Sequence, residues 1–450
     1  MGKIILGDPV IKENRLSARI SATRDVDKYL WKRELLIEYD ADISTTESIL
    51  NIPLTAIALP LAWLTGSDIQ VGALDSTFKK SMDQLKNIFH KMYPLAPFST
   101  KILSKNLIEN VIEVKDPNRR TALLFSGGVD STYTLINNME KKPRLIMHWG
   151  VDGYPYPEWS NYWNKSIQVY TKQAHSLGLQ INVVKTNVLE ILHARRIEHD
   201  FHKELYDGSL WLRLHFTLVL ASLIAPLSVN RFDKLIVAAS HDPYYADIDT
   251  WGPTANEPIT DERIKWADLD ITQDGYILRH KKIKTKIFDY IKNNNLILRV
   301  CNSREKSGSL LNCSQCEKCF RTIVPMLQVG LDPNNYGFTV NESTANKIKK
   351  MFLESGISTQ VLDYQWGPII EAIPENIEYD IYGSRELLEW IKKHDISSTE
   401  KDVWFFRDIY MNLPWSIAKG LNEIYKIFDI NISEHSPVRT KKKLDKSQID

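Results

Sequence analysis

Residues 126–132 combine small and hydroxyl-bearing side chains in a pattern that suits phosphate binding. Two adjacent glycines let the backbone turn tightly and bring its N–H groups close to a ligand. Where a helix follows such a turn, its first N–H groups and its dipole attract an anion. The hydroxyls add donors, and the single carboxylate is expected to hold Mg²⁺, which prefers carboxylate and phosphate oxygens together. The expected nucleotide-binding residues are Ser126, Gly127, Gly128, Val129, Asp130, Ser131 and Thr132.

A second group of residues could hold a metal. All four cysteines of the chain fall within one short stretch that ends in a Cys-x2-Cys-x2-Cys run. Disulfide scaffolds spread their cysteines over a small secreted chain, whereas this is one tight cluster in a large chain. Four thiolates suit a closed, structural Zn²⁺ site, and Lys318 and Arg321 would offset part of their charge. An iron–sulfur cluster and free thiols are the alternatives. The predicted metal ligands are Cys301, Cys313, Cys316 and Cys319.

Alternating strand and helix patterns from about residue 116 predict the elements that position both groups. Short apolar segments are separated by stretches with helical spacing. Such alternation implies right-handed βαβ units and a parallel sheet covered on both faces. Ligands in such sheets bind at the carboxyl ends of the strands. The predicted strands are residues 121–125, 144–148, 180–184 and 234–239, and the predicted helices are residues 131–139, 159–177 and 210–225.

The pattern of residues 1–115 predicts an α+β accessory domain. No recognisable set of catalytic residues lies in this segment. Residues 32–40 alternate as a strand does, and residues 81–93 have helical spacing. Residues 48–67 carry no charge and are about as long as a membrane span. Because two prolines interrupt that stretch and break helical hydrogen bonding, we expect a buried strand-and-turn segment there.

The pattern after the cysteines predicts a different secondary structure, with helices in place of alternating strands and helices. Residues 331–435 are expected to be mainly helical, with helices over 385–393 and 415–428. Residues 436–450 are rich in lysine and arginine, and we expect a solvated, disordered tail.

The length and charge of the chain limit its class. Its 450 residues are about three times a usual domain, which predicts two or three domains. The formal net charge of +1 lacks the basic excess of a dedicated nucleic-acid binder. No secretory signal pattern is found. We therefore expect a cytoplasmic protein without a membrane or nucleic-acid partner.

Residues 126–132 strongly resemble the PP-loop of the N-type ATP pyrophosphatases, whose signature is SGGxDS. The resemblance implies a doubly wound parallel α/β sheet over residues 116–330. Members of that family cleave ATP between the α- and β-phosphates, pass AMP to a substrate oxygen and release pyrophosphate. The chain contains no G-x-x-x-x-G-K-[ST] motif, so transfer of the γ-phosphate is not supported.

Together with the cysteine run, this loop is similar to that of the 7-cyano-7-deazaguanine synthase (QueC) family, over roughly residues 116–325. In that family Asp-Tyr-Gly ends the second strand, where this chain has His148-Trp149-Gly150, so the resemblance implies that His148 contacts the nucleotide. The matches at Arg213, Asp261, Arg263 and Lys284 are individually weak, and the alternative for each is an ordinary surface or ion-pair residue. Large additions at both ends and the histidine in place of an acidic residue leave the substrate open. The implied catalytic residues are Asp130, Ser131, Lys284 and Arg213, and the implied substrate-binding residues are Asp261, Arg263 and Arg321.

The resemblance implies an ATP-dependent ligase that uses ATP, Mg²⁺ and Zn²⁺. Adenylation of a carboxylate or amide on a deazapurine-like substrate makes its oxygen a good leaving group, and ammonia or an amine then attacks. A homodimer is a further expectation. Three alternatives remain: an anti-phage enzyme that conjugates a deazaguanine-type group to a partner protein, an RNA-thiolating enzyme, and an ATP-sensing scaffold without turnover. Thiolation commonly relies on a catalytic cysteine or on a cysteine-bound iron–sulfur cluster, and here every cysteine lies in the one cluster, so none is spare for a persulfide relay.

Overall fold

The computed structural model describes residues 2–112, 120–151, 155–158, 160–240, 252–277, 286–301, 311–354, 361–394 and 410–420. These residues form a mixed α/β fold with one large sheet and many helices. The strands are β1 (Lys3–Leu6), β2 (Val10–Lys12), β3 (Arg15–Ala22), β4 (Glu34–Tyr39), β5 (Asp68–Asp75), β6 (Ile102–Ile108), β7 (Thr121–Leu124), β8 (Arg144–Trp149), β9 (Ile181–Thr186), β10 (Lys234–Ala238) and β11 (Asp270–Asp274). The strands predicted over 32–40, 121–125, 144–148, 180–184 and 234–239 are confirmed, with small shifts at their ends.

The described sheet has eleven strands, most of them paired in parallel. Their order is β11-β10-β7-β8-β9-β4-β3-β1-β5-β6, and β2 pairs with β3 beside this path. The five strands from β11 to β9 are all parallel, and Leu123 of β7 lies in register between Ile236 of β10 and Leu145 of β8. On the far side, β4 pairs antiparallel with β9. The strands of residues 2–112 and the parallel strands therefore belong to one sheet.

Helices connect the strands and fill the region after the cysteines. They are α1 (Arg24–Asp27), α2 (Glu47–Leu50), α3 (Ile52–Thr65), α4 (Ser76–Met92), α5 (Val129–Asn137), α6 (Ser160–Ser176), α7 (Ala194–Asp200), α8 (Phe216–Ser222), α9 (Ala225–Ser228), α10 (Pro258–Asp261), α11 (Phe288–Asn294), α12 (Glu317–Gln328), α13 (Ser343–Glu354), α14 (Gly367–Glu371) and α15 (Ser384–Lys393). A wider, π-type turn precedes α8 and another precedes α14. Within the described part of 331–435 there are helices and no strand, and residues 415–420 are helical.

Glu47–Leu50 and Ile52–Thr65 form α2 and α3, so the strand-and-turn prediction for residues 48–67 was wrong, although the expected burial is confirmed. Every residue of α3 from Ile52 to Leu64 is buried. Pro53 lies in the first turn of α3, where a backbone N–H has no helical acceptor to lose. Pro60 lies inside α3 and costs about 3 kcal/mol there. Because each fully buried large apolar side chain contributes about 1.5–3 kcal/mol, burial of the whole helix outweighs that cost.

The main hydrophobic core crosses the predicted domain boundary at residue 115. It contains Ile4 of β1 and Ile57 of α3 together with Ala122 of β7 and Leu235 of β10. A second core surrounds the cysteines and takes in Val129 from the start of α5. Residues 2–112 thus pack directly on the parallel strands. The boundaries predicted at 115, 330 and 435 stay predictions.

One stretch of the described chain, Trp211–Ser228, is long and apolar enough to cross a membrane by length and composition. Within the protein, 78% of that stretch is buried. Burial of that kind is typical of a core helix in a soluble protein. The predicted cytoplasmic location stays a prediction, and the predicted tail, 436–450, lies outside the described residues.

Candidate functional site

The phosphate loop, residues 126–132, runs from just beyond the carboxyl end of β7 into the first turn of α5. Gly127 has a φ of +77°, a left-handed backbone conformation that favours glycine. A Cβ atom at this position would come within 2.3 Å of the ring of Tyr170. Gly128 has extended backbone and immediately precedes α5. The predicted order of strand, glycine turn and helix is confirmed, and the loop leads directly into the N-terminus of α5, the kind of place where anions bind.

Hydroxyl groups inside the phosphate loop hold its shape. The Oγ atoms of Ser126 and Ser131 are 3.1 Å apart. The backbone N–H of Ser126 donates to Ser131 Oγ at 3.2 Å, and that of Gly128 donates to Ser126 Oγ at 3.2 Å. Ser126 is exposed and Asp130 is half-buried. This geometry keeps two hydroxyls beside the loop amides at a helix N-terminus, an arrangement that suits a phosphate group.

Replacing Gly127 by alanine is expected to destabilise the protein by about 2–5 kcal/mol. The left-handed backbone costs a residue with a side chain about 1–2 kcal/mol, and overlap with the Tyr170 ring adds about 1–3 kcal/mol. The matched control is Gly178→Ala, because Gly178 has a φ of +69° and its Cβ would meet no described atom within 4 Å. Urea unfolding of both variants measures the difference. Equal destabilisation by the two substitutions would contradict the steric argument.

Arg299 contacts the phosphate loop and was not among the predicted site residues. Its backbone N–H donates to the carbonyl of Gly127 at 2.7 Å, and its Nε donates to the carbonyl of Ser126 at 2.8 Å. Its guanidinium lies over the Trp163 ring, 4.6 Å from the ring centroid, within the range of a cation–π interaction. The sequence offers one hint, the position of Arg299 two residues before Cys301. Spacing alone could not show that this segment returns to the loop.

His148 lies at the carboxyl end of β8, the strand next to β7. Its side chain is 8% exposed, and burial lowers the pKa of the imidazole to about 4. The ring is therefore neutral at neutral pH. Among the described residues its Nε2 atom has no hydrogen-bond partner. A neutral imidazole has one donor and one acceptor nitrogen, and the buried Nε2 atom can take either role. The predicted nucleotide contact of His148 stays a prediction.

The four cysteine sulfurs lie within 4.8 Å of one another. The Sγ–Sγ distance is 3.5 Å for Cys316–Cys319, 3.8 Å for Cys313–Cys319 and 3.9 Å for Cys301–Cys316. Sulfurs bound tetrahedrally at about 2.3 Å from Zn²⁺ are about 3.8 Å apart. Hydrogen bonds among the four thiols lower the pKa of Cys316 and Cys313 and raise the pKa of Cys301 and Cys319, so the cluster holds part of its charge as thiolate before any metal binds. The cluster could hold a metal such as zinc.

Asn312 ties the cysteine cluster to the segment that carries Arg299. Its side-chain oxygen accepts the backbone N–H groups of Val300 at 2.8 Å and Cys301 at 3.2 Å. Its side-chain nitrogen donates to the carbonyl of Leu298 at 2.8 Å. Asn312 is completely buried, and the residue after it is a cysteine of the cluster. The phosphate loop, the Arg299 segment and two of the four cysteines are thus joined by hydrogen bonds.

The structure places the predicted substrate residues Asp261 and Arg263 in different surroundings. Asp261 is completely buried, and its carboxyl group accepts hydrogen bonds from Gln273 at 2.6 Å and Asn256 at 2.9 Å. Burial raises the pKa of Asp261 to about 8, although these hydrogen bonds act in the opposite direction. Arg263 is exposed. Asp261 therefore organises a buried polar group beside β11, and the predicted substrate contacts of both residues stay predictions.

The predicted catalytic residue Arg213 is buried among backbone carbonyl groups. Its guanidinium donates to Leu205 at 3.1 Å, to Pro253 at 2.7 Å and to Tyr206 at 3.5 Å. None of these acceptors belongs to the phosphate loop. The bonds describe a structural role, and the predicted contact with the α-phosphate stays a prediction.

Two predicted residues remain, Arg321 and Lys284. Arg321 lies on α12, one turn into the helix that follows the cysteine run, and its Nε pairs with Glu317 at 2.6 Å. Its guanidinium also donates to Gln365. Lys284 lies outside the described residues.

Comparison of the chain with protein-family models, with curated proteins and with solved structures finds no match.

Proposed function

We propose that this chain is a PP-loop ATP pyrophosphatase that adenylates a carboxylate or amide of a deazapurine-like substrate and couples it to ammonia or an amine. The observation that carries the proposal is the place of the phosphate loop in the sheet. From β7 the chain adds β8 and β9 on one side, and it then returns to add β10 and β11 on the other. In a doubly wound sheet the ligand binds at the carboxyl ends of the strands where the order reverses, and the loop follows β7 at that point.

The residues around the loop suit the charge of the proposed reaction. ATP would supply an activated α-phosphate, so that the acceptor oxygen leaves as part of AMP. The loop amides and the first turn of α5 would hold the β- and γ-phosphates, and Asp130 would hold Mg²⁺ beside them. Neutral His148 would add a hydrogen bond without bringing further charge to this end of the sheet. The protein would contribute mainly positioning and charge neutralisation.

The cysteine cluster supports a structural role for its metal, which we propose to be Zn²⁺. Three of the four cysteines are buried, and four thiolates complete a tetrahedral shell without an open position for a substrate. All four cysteines of the chain belong to this cluster, so none is left for the persulfide relay that RNA thiolation commonly uses. The same observation therefore favours ligation over thiolation.

Product analysis tests the proposed reaction. The protein is incubated with ATP, Mg²⁺, ammonium and a series of deazapurine carboxylates, and nucleotides are separated by chromatography. We expect AMP and pyrophosphate in equal amounts, with an amide or nitrile product by mass spectrometry. Formation of ADP would contradict the proposal. A mass increase on a co-purifying protein, with AMP formed only in its presence, would instead assign the acceptor to a partner protein.

A further inference from the structure

We infer that Arg299 is a positioning residue through which the four-cysteine site fixes the shape of the phosphate loop. The inference rests on the proposed phosphate-binding function of that loop. Arg299 holds two successive carbonyl groups, those of Ser126 and Gly127, with its Nε at 2.8 Å and its backbone N–H at 2.7 Å. Its guanidinium is packed over Trp163, 4.6 Å from the ring centroid. Arg299 therefore donates hydrogen bonds to the loop from both its main chain and its side chain.

The hydrogen bonds to these carbonyl groups fix the orientation of the loop amides, which are the groups that would donate to a phosphate. In a planar trans peptide unit, the C=O of one residue and the N–H of the next point in opposite directions. The carbonyl groups of Ser126 and Gly127 point to Arg299, so the N–H groups of Gly127 and Gly128 point away from it. The Gly128 N–H already meets a hydroxyl, Ser126 Oγ, on that side. Arg299 thus turns the Gly127 N–H, and the Ser126 hydroxyl that accepts from Gly128, toward the position that the proposed phosphate would take.

The cysteine cluster in turn holds Arg299 in place. Cys301 is two residues away, and the backbone N–H groups of Val300 and Cys301 both donate to the buried Asn312. The next residue, Cys313, donates its own N–H to Cys301 Sγ at 3.3 Å. A metal bound by both Cys301 and Cys313 would fix the position of Asn312, which bonds to the backbone of the first and precedes the second. The backbone that carries Arg299 is then fixed relative to the loop, and metal occupancy and anion affinity become coupled.

Binding of Mg²⁺-pyrophosphate, measured by calorimetry on the full chain, tests the inference. Arg299→Ala is expected to weaken binding about 10- to 100-fold, because a charge-assisted hydrogen bond and its orienting effect are lost. Arg299→Lys should recover part of the loss, since its ammonium can still donate to the Ser126 carbonyl. Zinc content should be unchanged in both variants. The matched control is Arg385→Ala, an exposed arginine on α15.

Two further measurements separate coupling from a merely local effect. Removing the cysteine-bound metal with a chelator, under conditions where circular dichroism shows the chain still folded and with the chelator removed before Mg²⁺ is added, should weaken pyrophosphate binding to the unsubstituted protein. It should add little to the loss in Arg299→Ala, because both act through the same contact. Hydrogen exchange in the metal-loaded protein should be faster for the loop amides in Arg299→Ala and unchanged in Arg385→Ala. Unchanged affinity and exchange in Arg299→Ala would overturn the inference while leaving the proposed function standing. A protein that binds pyrophosphate but converts ATP to ADP would instead overturn the proposed function alone, and one that binds no pyrophosphate would overturn both.

Discussion

Substituting Cys316 by serine is expected to remove the bound metal and to destabilise the protein by about 4 kcal/mol or more. Structural zinc contributes folding free energy directly, because the unfolded chain does not hold the four thiolates together. Cys316 contacts Cys319 at 3.5 Å and Cys301 at 3.9 Å, so its loss opens the shell on two sides. Elemental analysis should find about one zinc per chain in the unsubstituted protein and much less in the variant. Denaturant unfolding measures the loss of stability.

The metal itself provides the control for this prediction. A chelator should destabilise the unsubstituted protein to nearly the level of Cys316→Ser, and added Zn²⁺ should restore the former but not the latter. Full metal content and unchanged unfolding in Cys316→Ser would show that the cluster is not a structural metal site. Iron with acid-labile sulfide in the purified protein would instead support a cluster of the kind found in thiolation enzymes.

The second large effect is expected from Asp130→Asn, which should reduce pyrophosphate formation at least about 100-fold. Asparagine keeps the size of the side chain but removes the charge that would hold Mg²⁺ beside the phosphates, and losses of that order follow removal of one electrostatic contact to a transition state. The fold should remain largely intact. The measurement is pyrophosphate release at saturating ATP, with circular dichroism to confirm folding.

Asp289→Asn is the matched control for Asp130→Asn. Asp130 is the second residue of α5, and Asp289 lies near the start of α11. Asp289 is exposed and is not one of the predicted site residues. Both substitutions therefore replace one aspartate on a helix by asparagine, and only one removes the predicted metal ligand. Equal activity of the two variants would eliminate the Mg²⁺ assignment.

Sequence patterns predicted four of the five adjacent parallel strands, β7 to β10, because each is a short apolar run bounded by turn residues. The fifth, β11, was not predicted, since four of its five residues, all but Ile271, are polar or charged. β7 is such a run, and the glycines directly after it predicted both the turn and the start of α5. The same method failed for α3, where two prolines indicated a break. Local rules give the cost of a proline but not the burial that offsets it, and α3 is buried along almost its whole length. Tertiary burial decided that element.

The cysteine cluster and the phosphate loop were found from residue types and spacing, since the chemistry of four thiolates or of a glycine turn is local. Their relation to each other was not. Arg299 has no motif of its own, and its contacts join residues more than 170 positions apart in the chain. The antiparallel pairing of β4 with β9 likewise has no signal in the sequence. Pairings of that kind depend on which surfaces remain to be buried once the local elements have formed.

The amino-acid sequence by itself determined the turn after β7, the set of four cysteines and the alternation that makes a parallel sheet, because each of these depends on neighbouring residues. Only the tertiary structure decided that His148 is neutral and buried, that Arg213 is bonded to carbonyl groups, and that Arg299 joins the two sites. Burial, desolvation and long-range hydrogen bonds exist only when distant segments are packed together, so no local pattern can encode them separately.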